Sequence, residues 1–211
     1  MQAKSRQILF DTLNRLATAP DDLIDQLYAI TRPTRLKKGE TFLTAGEVPD
    51  RMGFNLNGYF RLYYIDQSGN DWTKGFCMPG NFVVSYSAMV QKRASYFFIE
   101  ALTDSDILEF SYSEWTSLFE KDMRWYSVVY KIVESVYLLK EMREKSFLLD
   151  DAATRYSDFL ETYPGLSRYI KLYHIASFIG VTPEALSRIR SQIKNSPEKN
   201  QREIDSKLSL H

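Results

Sequence analysis

The sequence is poor in the residues that metal and covalent chemistry need. Among 211 residues there is one cysteine, Cys77, and there are two histidines, His174 and the terminal His211. A single cysteine excludes an intramolecular disulfide framework and fits a reducing compartment. It also falls short of the several thiolates an iron–sulfur cluster requires. With no histidine cluster a structural zinc site is not expected, and packing is the expected role of both Cys77 and His174. No run of about 18 apolar residues exists, so no membrane-spanning helix is expected. The opening MQAKSRQILFDTL is interrupted by charge and has no cleavage motif, unlike a signal peptide. The expectation is a cytoplasmic chain that does not contact a membrane. A glycine-rich phosphate loop, a Cys/His nucleophile arrangement and a metal-ligand cluster are all missing, so no catalytic residue, cofactor or enzymatic activity is expected. Acidic residues such as Glu100, Asp104 and Asp106 read as solvated groups at a strand end.

Several kinds of local order are present. Two helical stripes come first: Ile8, Leu9, Leu13 and Leu16, then Leu23, Leu27 and Ile30 after a restart at Pro20. From Thr31 to about Phe110 glycines punctuate the chain at Gly39, Gly46, Gly58, Gly69 and Gly80, with apolar alternation at Phe60, Leu62 and Tyr64 and at Phe97, Ile99 and Ala101. This texture predicts short antiparallel strands in a β-roll or jelly-roll. Ser111-Tyr-Ser-Glu114 is a capping box that opens a helix. A long helix follows from about Met123 to Leu149. In it Trp125, Val129, Ile132, Val136 and Leu139 step by fours and threes, the spacing of a coiled-coil seam, which predicts that this face pairs with a second copy of the chain.

Beyond a hinge near Leu149–Asp151, Asp150 and Asp151 can cap a helix over Ala152–Thr162. The stretch LYHIASFIGVTPEALSRIRSQIK, residues 172–194, reads as two helices joined by a tight turn. Leu172, Ile175, Ala176 and Ile179 form one apolar face, and Gly180 is free to take the positive φ that ends the helix. Thr182 is an N-cap, and Pro183 occupies the first helical position, where no amide is needed. Leu186, Ile189 and Ile193 then face inward. Such a helix-turn-helix predicts a recognition helix in which Thr182, Glu184, Ser187 and Arg188 meet base edges while Arg190 and Lys194 meet phosphates. Charge agrees. From Gly165 to Lys199 the basic side chains are Arg168, Lys171, Arg188, Arg190, Lys194 and Lys199, against Glu184 and Glu198, in a chain of zero formal charge.

With KKGETFLTAGEVPDRMGFNLNGYFRLYY (37–64), PGNF (79–82) and IASFIGVTPEALSRIR (175–190), the chain resembles the Crp/Fnr family of bacterial transcription regulators over roughly residues 10–194. The resemblance implies an α+β chain: an antiparallel β-roll sensor domain of the cyclic-nucleotide-binding type (1–122), a dimerisation helix (123–149) and an all-α helix-turn-helix domain (150–211). It implies a homodimer acting on palindromic promoter sites in double-stranded DNA, with RNA polymerase and a small-molecule effector as further partners. By position, Thr182, Pro183, Glu184, Ser187 and Arg188 fall where family members touch DNA.

Two features depart from the family pattern. The Gly-Glu that holds the ribose of cyclic AMP falls on Val84 and Ser85. The Arg-Ser/Thr that holds the cyclic phosphate falls on Ser95 and Tyr96, with Arg93 two residues early and no carboxylate between Gly80 and Ile99. Val84, Ser85, Arg93, Ser95 and Tyr96 are therefore the expected effector pocket, but one without the groups for cyclic AMP. Residues 195–211 show no pattern for the DNA-touching wing of many relatives, which predicts modest affinity. The rival reading is a small-molecule-binding or protein-interaction module whose C-terminal helices only pack.

Overall fold

The computed structural model describes residues 2–195, with the backbone alone of Gln2, Lys194 and Asn195. The predicted phosphate contact of Lys194 and the predicted polar tail lie outside the described residues. The chain divides into two compact units that part between Lys145 and Ser146. That division falls inside the long helix rather than at the predicted hinge after Leu149.

In the first unit, helices α1 (Gln2–Ala17) and α2 (Asp21–Ala29) are the two predicted from the apolar stripes, with Pro20 between them. Eight antiparallel strands follow: β1 (Arg32–Leu36), β2 (Thr41–Leu43), β3 (Arg51–Asn57), β4 (Phe60–Ile65), β5 (Asp71–Cys77), β6 (Phe82–Val83), β7 (Phe98–Ala101) and β8 (Ser105–Ser111). They form two four-stranded sheets, in the orders β1-β8-β3-β6 and β2-β7-β4-β5. All five punctuating glycines take positive φ. Gly58 is the most constrained: a Cβ there would lie 2.1 Å from Ser105 Oγ, far inside contact distance. A helix the sequence did not reveal, α3 (Tyr86–Gln91), lies between β6 and β7.

Two apolar clusters hold this unit. Leu36, Phe42, Phe60, Cys77, Val83, Phe97, Ile99 and Ile107 fill the space between the sheets. Burial pushes the Cys77 thiol up to about 12, so it stays a neutral packing group. On the outer face of one sheet, Met52, Phe54, Leu108 and Phe110 meet Leu9, Leu13, Leu23, Leu27 and the helices that follow β8. Strand β3 is therefore covered on both faces, and Met52 to Asn55 are all buried with no alternation. Helix α4 (Tyr112–Lys121) opens on the predicted capping box, with both reciprocal bonds between Ser111 and Glu114 formed. Helix α5 (Arg124–Leu149) has the predicted extent.

The facing of α5 differs from expectation. Trp125 is 0% exposed, its indole N–H donates to Gln26 Oε1 at 3.1 Å, and its ring meets Trp115 edge-on at 5.5 Å. Val129 and Ile132 pack against the same cluster. The start of the predicted dimer seam is thus turned into its own domain, because a bulky apolar face is buried by whatever core reaches it first. Val136 and Leu139, farther along, are exposed. A separate apolar stripe, Tyr126, Tyr130, Val133 and Tyr137, is also exposed and repeats the four-three-four spacing on an outward face.

In the second unit, α6 (Ala152–Thr162) begins with the Asp151 carboxylate accepting from the Thr154 amide. A short 3-10 turn, Leu166–Arg168, leads to α7 (Leu172–Ile179) and α8 (Pro183–Asn195). Tyr156, Phe159, Leu166, Ile175, Ala176, Phe178, Ile179 and Leu186 are its buried apolar residues.

Candidate functional site

The α7–α8 unit is built as its sequence reads. Gly180 ends α7 at φ 74, and the Val181 amide closes back on the Ala176 carbonyl at 3.0 Å, the cap that a left-handed glycine permits. A Cβ on Gly180 would come within 2.9 Å of the Phe147 ring, so packing as well as conformation calls for glycine here. The Thr182 hydroxyl accepts from the Ala185 amide at 3.2 Å, capping α8. Ala176 and Leu186 are fully buried where the helices cross. A buttress not anticipated from sequence is Arg155, whose Nε donates to the Ile179 carbonyl at 2.8 Å and whose Nη1 donates to the Asp150 carbonyl at 2.6 Å. It ties the end of α7 to the start of α6.

The outward side of α8 is polar. Thr182, Glu184, Ser187, Arg188 and Ser191 are exposed, Pro183 and Arg190 half-buried. Hydrogen bonds from its own amide and from the Thr182 hydroxyl, with the Arg188 charge one turn on, hold the Glu184 carboxyl below its ordinary range. Glu184 is therefore ionised at the positive end of the helix, and Arg188 stands beside it. Arg168, Lys171, Arg188 and Arg190 form no ion pair with the described residues. His174 is half-buried in α7 with its ring against Tyr173 at 5.5 Å, a packing position.

The expected effector pocket is brought together only in part. Ser85 and Ser95 are buried and meet hydroxyl to hydroxyl at 3.1 Å. Ser95 Oγ also donates to the Phe97 carbonyl at 2.9 Å and accepts from the Phe97 amide at 3.3 Å. The Ser95 amide is taken by the Glu47 carbonyl at 2.8 Å. This polar corner satisfies itself internally. Val84 packs against the helix-side cluster rather than into the roll, Arg93 is exposed, and Tyr96 is 78% exposed. Neither Arg93 nor Tyr96 therefore joins the two serines, because α3 ends in a left-handed Lys92 and the chain leaves the roll before returning as β7.

A group of cations that sequence reasoning missed lies around the β4–β5 hairpin. Arg61, 1% exposed, donates through Nε to Thr73 Oγ1 at 2.8 Å and pairs with Asp71, its guanidinium over the Tyr63 ring. Next to Thr73, Lys74 is half-buried with Nζ 4.1 Å from the centre of the Phe97 ring. Burial first, and then the charges of Lys140 and Arg143 on α5, pull the Lys74 amine down to about 8.

Comparison with known proteins agrees with this geometry. Residues 33–122 match the family model described as the cyclic nucleotide-binding domain. No curated protein matches the sequence. Among solved structures, the chain is similar to the c-di-GMP responsive global regulator CLP of Xanthomonas campestris, with 12% identity over 83% of this chain and 92% of that one, at a TM-score of 0.65. It is similar to FixK2 of Bradyrhizobium japonicum at 17% identity over 78% and 85%, TM-score 0.66. The catabolite activator protein of Thermus thermophilus matches at 17% identity over 87% of each chain, TM-score 0.53. The chain thus shares the fold of these regulators, and its residues 33–122 are similar to the cyclic nucleotide-binding domain.

Proposed function

We propose that this chain is a sequence-specific DNA-binding transcription regulator that acts as a homodimer on palindromic promoter sites in the cytoplasm. The observation that carries the reading is α7–Gly180–α8: a tightly capped helix pair whose second helix presents Glu184, Ser187 and Arg188 outward. Arg188 carries a guanidinium able to meet guanine in the major groove, while Arg190 is the phosphate contact. The homodimer is supported by the exposed stripe Tyr126, Tyr130, Val133 and Tyr137, whose spacing suits a coiled-coil seam. This stripe takes the place of Trp125, Val129 and Ile132 in the interface, and Val136 and Leu139 lie nearer its edge. The regulator acts without the usual cyclic-AMP motif, since Ser85 and Ser95 bond to each other and Arg93 stands in solvent. It catalyses no reaction.

Selection of bound duplexes from a random DNA pool tests the reading. Enriched inverted repeats, with half-sites about one helical turn apart, are expected without cyclic AMP. Replacing Arg188 by Ala relaxes the preference at one half-site position at a cost of about 1–3 kcal/mol. A pool that stays unenriched would mean that the C-terminal helices only pack.

A further inference from the structure

Separate stretches of the first unit are tied together at Ser95. Its amide donates to the Glu47 carbonyl and its carbonyl accepts from the Gly46 amide, both at 2.8 Å. Its hydroxyl meets that of Ser85, the residue before α3, at 3.1 Å. Ser85 and Ser95 are buried, and the residue after each turns outward, as does Val48 after Glu47. Tyr86, Tyr96 and Val48, with Val90 one turn beyond Tyr86 on the same face of α3, are between 40% and 78% exposed. They make one apolar patch with a helix side, Tyr86 and Val90, and a loop side, Val48, joined by Tyr96. Charges flank both sides. Lys92 and Arg93 end α3, their amides bonded back to the Met89 and Ala88 carbonyls at 3.1 and 3.0 Å. Glu47 and Asp50 lie on the loop. All four are exposed, and none forms an ion pair with the described residues. Arg32, Lys37, Arg51 and Arg124 of the same unit each have a carboxylate partner. A patch with unpaired cations on one side and unpaired carboxylates on the other is complementary to itself. A two-fold axis near Tyr96 sets the helix side of one copy against the loop side of the next.

We propose that this patch is a second self-association face, through which copies of the chain pair symmetrically. Tyr96 lies at its centre, and Lys92 and Arg93 of one copy meet Glu47 and Asp50 of the other. Exposed aromatic and aliphatic side chains supply the area, and the charges fix the register. The face shares no residue with the exposed α5 stripe. Dimers seamed along α5 therefore join through it into assemblies larger than a dimer, which can hold more than one promoter site at once. Those larger assemblies, but not the face itself, rest on the homodimer reading.

The experiment is sedimentation velocity of the full chain over a range of concentrations, with Tyr130→Glu breaking the α5 stripe and Tyr96→Ala the new face. The parent is expected to form species heavier than a dimer, each variant to stop at a dimer, and the two substitutions together to leave monomers. Tyr96→Ala weakens the second association by roughly tenfold or more. Arg93→Glu and Asp50→Lys each weaken it by roughly tenfold, and the double variant, which exchanges the two charges, recovers it. Thermal melting of the variants shows that they are folded. The proposal is overturned if the parent never exceeds a dimer and Tyr130→Glu dissolves that dimer. It is overturned equally if Tyr96→Ala associates as the parent does, or if the charge-exchanged variant stays as weak as the single ones. A parent that stops at a dimer which Tyr96→Ala dissolves and Tyr130→Glu leaves intact keeps this face and removes the α5 seam.

Discussion

Arg61 and Lys74 are cations on neighbouring strands of one hairpin, and the molecule treats them in opposite ways. Arg61 is the more deeply buried and is fully provided for: a hydroxyl at 2.8 Å, the Asp71 carboxylate and the face of Tyr63. Among the described residues Lys74 has an aromatic face alone, and the charges that act on its amine are like its own. Burial of a charge is expensive unless the charge is paired. A buried cation supplied with its counter-ion is part of the fold; one without a counter-ion lowers the stability of the fold that holds it. The Ser85–Ser95 corner belongs with Arg61, being polar, buried and closed on itself.

Three substitutions break this contrast, in falling order of effect. Asp71→Ala leaves the Arg61 guanidinium buried without its carboxylate. About 2–3 kcal/mol of stability is expected to be lost in urea denaturation, at or below the low end for a buried pair because Asp71 is partly exposed. The double variant Arg61→Met with Asp71→Leu should recover most of it; no recovery would mean that Asp71 acts through the strand rather than through the pair. Ser95→Ala deprives the Phe97 amide of its acceptor in a buried corner, for a loss of about 1–2 kcal/mol. Equal stability of the variant would show that water takes over the site.

Lys74→Met has the opposite sign. The folded amine titrates at about 8 against 10.5 for an ordinary lysine, so between these values the unfolded chain binds more protons than the folded one. Stability of the parent therefore rises with pH across that window, and the cost of Lys74 is fully present below it. At pH 7 the variant should be more stable by about 1 kcal/mol, its thioether remaining against Phe97. The advantage should shrink as the pH approaches 10.5. A variant less stable than the parent at pH 7 would show that the ammonium–ring contact outweighs desolvation.

What the sequence made legible follows the range of the interactions involved. Gly180, Thr182 and Pro183 act within a few residues of one another, so the turn, the cap and the start of α8 could be read directly, as could the Ser111–Glu114 box. The extent of α5 was equally plain. Its facing was not, because a four-three repeat shows that an apolar face exists without showing what covers it; Trp125 is covered by α2 and α4 residues that lie far away in sequence. Helix α3 escaped because six residues give too little periodicity. Ser85 and Ser95 were named by position, but that they satisfy each other emerges only from the fold. Lys74 escaped altogether, since nothing in a one-dimensional reading brings residue 74 to the Phe97 ring.

An exposed ion pair completes the comparison from the weak side. The Glu114 carboxylate accepts from the Ser111 amide and hydroxyl, both at 2.8 Å, and from two nitrogens of Arg32 at 2.6 and 3.1 Å. These bonds, the Arg32 contact foremost, draw its pKa down to about 2 from 4.5. The folded value lies below the unfolded one, so the stabilisation is present above 4.5 and is lost as the pH falls through 2. Arg32 is largely exposed and Glu114 partly so, so solvent screens the pair and Glu114→Gln should cost below about 1 kcal/mol at pH 7. Acid titration of both proteins measures it: their stabilities should differ slightly at neutral pH and converge near pH 2. A loss as large as that of Asp71→Ala would mean that hydrogen-bond geometry, and not burial, decides what a charge contributes here, and would remove the ground for treating Arg61 and Lys74 as opposites.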